Sequence, residues 1–114
     1  MKLVPNNSFF VIFLIFFLFD SKKAYATTFE EGKKIFITNC IACHKGGENL
    51  IIPEKNLKKN TLEANGMYSL NAIIYQVING KNGMPAFGGR LLEEEIENVA
   101  FYVLNQSAFN FEEK

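Results

Sequence analysis

Cys40-Ile41-Ala42-Cys43-His44 is the stretch that most limits what this chain can become. On one helical turn, positions i, i+3 and i+4 share a face. Both thiols and the imidazole therefore converge on one side. A C-x-x-C-H run is the attachment signature of c-type haem. The thiols reach two vinyl groups along one porphyrin edge, and the imidazole reaches the iron. Other uses of these side chains fit less well. A structural zinc site takes about four ligands, and His44 is the only histidine. A thioredoxin-like dithiol expects a βαβ setting, and no strand-rich segment is visible. A plain disulfide stays open to an exported chain.

Export is written into the N-terminus. Met1-Lys2 is a short basic start, and Phe9 to Phe19 is an unbroken apolar run of 11 residues. Asp20-Ser21-Lys22-Lys23 and Ala24-Tyr25-Ala26 follow. A charged start, a short apolar core and an A-x-A site describe a secretory signal. The run is short against the roughly 20 residues of a spanning helix, so an uncleaved anchor is the weaker alternative. The expected organisation is a cleaved signal over 1–26 and one domain over 27–114. Removing Lys2, Lys22, Lys23 and Asp20 leaves 9 basic and 11 acidic side chains, net −2. That balance carries no basic stripe for nucleic acid. A domain of this length is marginal without help, so folding should depend on the covalent porphyrin.

Along the mature chain the pattern predicts helices and loops only. Thr28-Phe29-Glu30-Glu31 fits a capping box, opening a helix from about Phe29 into the Cys40 turn. Gly32 inside that helix costs about 0.5–1 kcal/mol relative to Ala, which implies a second backbone close by. Lys45 to Pro53 reads as loop, and Lys55 to Asn65 as weak polar helix. Ser69 caps a clearer helix whose Leu70, Ile73, Ile74, Val77 and Ile78 recur at helical spacing. Gly80 ends it. Gly80 to Gly89 is a glycine-rich loop. The last helix starts near Glu93, with Glu93, Glu94 and Glu95 in the turn where the dipole favours carboxylates. Ile96, Val99, Ala100, Val103 and Leu104 form its buried stripe.

With one histidine, bis-histidine ligation within the chain is excluded. Met84, Met67, a lysine or nothing can fill the sixth iron position. A thioether is a soft ligand suited to haem iron. Pro85 biases Met84 to extended backbone and stiffens its loop, so Met84 is the favoured ligand and Met67 reads as pocket packing. His/Met ligation closes both axial positions and raises the reduction potential. Such a centre suits the carriage of single electrons rather than catalysis.

The chain resembles the cytochrome c6 family, class I cytochromes of algal and cyanobacterial thylakoid lumens, from Phe29 to about Ser107. The carrying residues are Cys40 to His44, Pro53-Glu54-Lys55, Tyr75-Gln76-Val77, Asn79-Gly80-Lys81 and Met84-Pro85-Ala86-Phe87. The whole Lys81–Leu91 run, KNGMPAFGGRL, is the most specific piece. The resemblance implies an all-α class I fold of about four helices around one covalent haem c, with the first and last helices crossing through Gly32, Phe36 and Tyr102. It implies haem thioethers at Cys40 and Cys43, and His44 and Met84 as axial ligands. It implies that the Pro53 carbonyl accepts from the His44 ring. It further implies that Gln76 faces the haem, that Lys55 neighbours a propionate and that Arg90 is a docking residue near the haem edge.

By the same resemblance the protein is a monomeric electron carrier between cytochrome f of the b6f complex and photosystem I, with no membrane insertion after signal cleavage. The implied location is the thylakoid lumen of an algal chloroplast, with the gene in the plastid. The alternatives are a cyanobacterial lumen or periplasm, and a respiratory periplasmic cytochrome c feeding an oxidase. A gas-binding haem protein or a haem-free dithiol protein are rivals of other classes. Three residues or segments depart from the family pattern: Leu92 in place of a Ser cap, Phe101, and the aromatic tail Phe109-Asn110-Phe111.

Overall fold

Helix, once nucleated, propagates cheaply until a breaker stops it, and nothing between Asn7 and Asn39 is a proline. The computed structural model describes the backbone over residues 7–112 and the side chains over residues 22–112. In it α1 runs unbroken over Asn7–Asn39. The expected capping box at Thr28 is therefore not formed. Thr28 Oγ1 instead donates to the Ala24 carbonyl at 2.9 Å, one turn back inside the helix. Met1-Lys2 and the side chains of Phe9 to Phe19 lie outside the described residues. No helix of the described residues is long and apolar enough to cross a membrane.

After α1 comes α2, a single turn over Ile41–His44, and a 3-10 turn over Lys45–Gly47. The weak helix is shorter than expected: α3 covers Lys59–Ala64. Asn56 and Asn49 hold the stretch before it in turns through side-chain bonds to Lys58 N, Ile51 N and Ile52 N, which compete with helix. α4 runs Leu70–Asn79, with Ser69 Oγ accepting from Ala72 N. α5 runs Glu93–Ser107. Among the described residues there is no strand, only the isolated bridges Lys81–Met84 and Gly88–Leu91.

The core lies where α1, α4 and α5 meet. Ile35, Phe36, Ile73, Val77, Phe87, Ile96, Val99, Ala100, Tyr102 and Val103 are buried together. Leu70 and Ile78, at the margins of the α4 stripe, stay exposed. The α1–α5 crossing explains Gly32. A Cβ there would run into the Asn98 carbonyl and come within 2.8 Å of Tyr102 Cβ. Tyr102 packs against Phe29 and Phe36 at ring-centroid distances of 5.0 and 5.3 Å. Such ring pairs contribute about 0.5–1.5 kcal/mol each beyond area burial.

α5 starts without a side-chain cap, because Leu92 has no acceptor. Glu95 Oε1 accepts from Leu92 N at 2.8 Å, so the glutamates alone close this end. Its far end is a Schellman turn. Phe111 N reaches the Gln106 carbonyl and Asn110 N the Ser107 carbonyl, with Asn110 in the left-handed region at φ 54°. Phe111 follows at φ 59°. Phe101, another departure from the family pattern, also finds a contact. Phe101 meets Tyr25 edge to face at 5.0 Å, and Tyr25 Oη donates to Asn105 Oδ1.

Candidate haem site

Cys40, Cys43, His44 and Met84 line one cavity of about 440 Å³, together with Phe36, Ile73, Val77, Phe87 and Val99. That size lies within the range of small-molecule and cofactor sites. α2 sets one wall. His44 N and Cys43 N both bond the Cys40 carbonyl, at 2.9 and 3.2 Å, which winds the two thiols and the imidazole onto one turn. The thiols are free, not disulfide-linked. Burial pushes the Cys40 thiol up to about 11, because a thiolate there would lose its hydration. Among the described residues no group of three His, Cys, Asp or Glu is placed to hold a bare metal ion.

The His44 ring is oriented differently from the expectation. Its Nδ1 lies 2.9 Å from the Glu48 carbonyl, not from that of Pro53. The Lys45–Gly47 turn brings position 48 back over the ring, which position 53 does not achieve. A carbonyl can only accept, so Nδ1 carries the proton and Nε2 keeps its lone pair. Orientation of a ligating histidine by such a partner is the usual arrangement.

The opposite wall is the Met84 loop. Lys81 and Met84 exchange both backbone bonds, N to O at 3.1 and 2.9 Å, closing a two-residue hairpin with Asn82 at φ 54°. Phe87 N and Gly88 N then bond the Val77 and Ile78 carbonyls and tie the loop to α4. Gly80, at φ 66°, lets this backbone pass: a Cβ there would lie 2.5 Å from the Met84 carbonyl oxygen. Gln76, one turn before the end of α4, points its Nε2 at Met84 Sδ, 3.8 Å away.

Gln76, Lys55 and Met67 all line the cavity. Arg90 does not. It is exposed, and its guanidinium lies 5.0 Å above the ring of Phe87, which itself lines the cavity. Ile51 stands at the rim, half exposed, with its Cδ1 against Gly83. Asn49 was not singled out from the sequence. Its Oδ1 accepts from Ile51 N and Ile52 N while its Nδ2 donates to the Lys55 carbonyl, so it shapes the loop facing Met84. An asparagine three residues before a proline-bearing turn is the only sequence signal for it.

The donor set suits a c-type haem: two free thiols on one turn, an imidazole with a fixed tautomer, and a thioether across an apolar gap. Comparison with known proteins agrees. The family model described as cytochrome C oxidase, cbb3-type, subunit III matches residues 27–103. Cytochrome c6 of Pyropia yezoensis is 54% identical over 98 residues, spanning 86% of this chain and 89% of that relative. Cytochrome c6 of a Synechococcus species is 57% identical over 91 residues, spanning 80% of this chain and 81% of its own. The solved cytochrome c6 of the diatom Phaeodactylum tricornutum superposes with a TM-score of 0.70 at 51% identity, over 72% of this chain and 97% of that one.

Proposed function

Because this chain belongs to the cytochrome c6 family, a family of c-type cytochromes that carry electrons on covalent haem c, we propose that it moves single electrons from cytochrome f of the b6f complex to photosystem I. One observation supports the site assignment most: Cys40, Cys43, His44 and Met84, scattered over 45 residues of chain, line the same cavity. In this reading Cys40 and Cys43 would hold the haem through thioether bonds, and His44 and Met84 would bind its iron. The bound haem supplies a one-electron iron couple. The chain's own work is to hold both donors rigid, exclude water and leave one edge accessible.

Each donor is braced before any cofactor is considered. Glu48 fixes His44, and the Lys81–Met84 hairpin fixes the thioether. With His44 and Met84 both bound, the iron would keep no position for a substrate, which suits a carrier rather than an enzyme. Gln76 would tune the sulfur, and Lys55, which lines the cavity, would neighbour a propionate. Arg90, stacked on the cavity-lining Phe87, would present a docking cation, and the exposed Ile51 would supply apolar surface. Small, brief contacts of this kind suit transient electron-transfer encounters. The glutamates at the start of α5 first serve that helix end.

The relatives come from algae and cyanobacteria, and the N-terminal pattern is that of a single signal. We place the protein in the thylakoid lumen of an algal chloroplast, processed after Ala26 and acting as a monomer. Flash-induced reduction of photosystem I by the mature protein tests the assignment. A rate that rises and saturates with protein concentration is expected. Reduction of an oxidase with no reaction at photosystem I would favour the respiratory alternative.

A further inference from the structure

We propose that Phe111, in the C-terminal tail, is a positioning residue for the His44 imidazole. The inference rests on the reading of His44 as the axial ligand. The tail turns directly after α5 and sets Phe111 against the turn that holds the histidine. A Cβ on Gly47 would lie 2.5 Å from Phe111 Cδ2 and 2.7 Å from its Cγ, so the aromatic ring sits directly on the Gly47 backbone. The ring's other neighbours are Phe36, at 5.6 Å between centroids, and Tyr102, at 6.4 Å. Gly47 is buried, and its left-handed φ of 79° restricts the position to glycine.

Gly47 is the last residue before Glu48, whose carbonyl accepts from His44 Nδ1 at 2.9 Å. The Gly47 carbonyl itself accepts from Leu57 N at 2.7 Å. Asn110 adds a second anchor, its Oδ1 accepting from Lys59 N at 3.2 Å. The tail therefore clamps both ends of the 47–59 segment. Two successive non-glycine residues in left-handed backbone, Asn110 and Phe111, are strained. That strain persists only where surrounding contacts hold it. The contacts here converge on the turn behind the ligand. Firm placement of the Glu48 carbonyl raises the basicity of the imidazole, which favours oxidised iron.

The test uses the mature holoprotein with Phe111→Ala and the milder Phe111→Leu. Released from the ring, the turn loosens and the Glu48 bond to His44 weakens. The reduced-to-oxidised ratio at fixed ambient potential should rise about threefold in Phe111→Ala, by less in Phe111→Leu, and return in Phe111→Tyr. The paramagnetically shifted His44 ring-proton resonances should move with it. Leu104→Ala, a truncation on α5 away from Gly47, should lower the denaturation midpoint without moving either signal. A wild-type protein lacking shifted His44 resonances would overturn the ligand assignment and the inference with it. Shifted wild-type resonances that stay in place in both Phe111 variants, at unchanged potential, would overturn the positioning role alone.

Discussion

Gln76 Nε2 sits 3.8 Å from Met84 Sδ, an amide donor aimed at a thioether from the neighbouring turn. A donor on the sulfur withdraws electron density from it and makes it a poorer partner for oxidised iron. Gln76→Val keeps the volume and deletes the donor. The midpoint potential should fall by roughly 40 mV, the one-electron equivalent of a hydrogen bond of about 1 kcal/mol. Redox titration of the purified protein measures it. An unchanged or raised potential would separate Gln76 from the sulfur.

Replacing Met84 with alanine removes the thioether while the hairpin's backbone bonds remain. The vacated position should bind carbon monoxide at once in the reduced protein at neutral pH. The midpoint should drop by more than about 100 mV, within the roughly 0.8 V over which axial ligands set haem potentials. Visible spectra before and after gas addition decide the first point, and potentiometry the second.

Gly32 is the tightest point of the α1–α5 crossing, with backbone rather than a flexible side chain facing the missing Cβ. Gly32→Ala adds helix propensity but forces the helices apart. Overpacking against backbone should win, with a net loss of about 3 kcal/mol at the upper end of such substitutions. Urea unfolding of the holoprotein would show a lowered midpoint. A stabilised variant would mean that the crossing yields easily.

Leu92 occupies the N-cap of α5 with an exposed side chain that can accept nothing. Leu92→Ser should add the missing half of the box and stabilise by about 1 kcal/mol. Glu95→Ala should act oppositely, because it deletes the one carboxylate that bonds Leu92 N. Thermal unfolding of the two variants should therefore shift in opposite directions.

The proposed haem donors were legible because their chemistry is local. Cys40, Cys43 and His44 share one turn, and Pro85 marks Met84 by stiffening its backbone. Gly32 could be read as a close approach because a helical glycine carries a cost that needs a reason. In the full-length chain α1 continues back through Thr28, because a capping pattern is only an offer and an uninterrupted chain preceding it extends the helix instead. The histidine's partner was misassigned to Pro53, since the outcome depends on how tightly the Lys45–Gly47 turn winds. The tail's contacts were invisible in the sequence because Phe111 meets Gly47, and Asn110 meets Lys59, across more than 50 residues of chain.

The order of residues alone pointed to the cofactor class, set the helical periodicities and singled out the proposed pair of iron donors, since each depends on side-chain chemistry at short spacing. Only the packed chain decided which carbonyl orients His44, where the amide of Gln76 points and what Phe111 presses on. Those contacts join segments far apart in sequence, and their geometry is fixed by excluded volume and hydrogen-bond direction once α1, α4 and α5 have closed on one another.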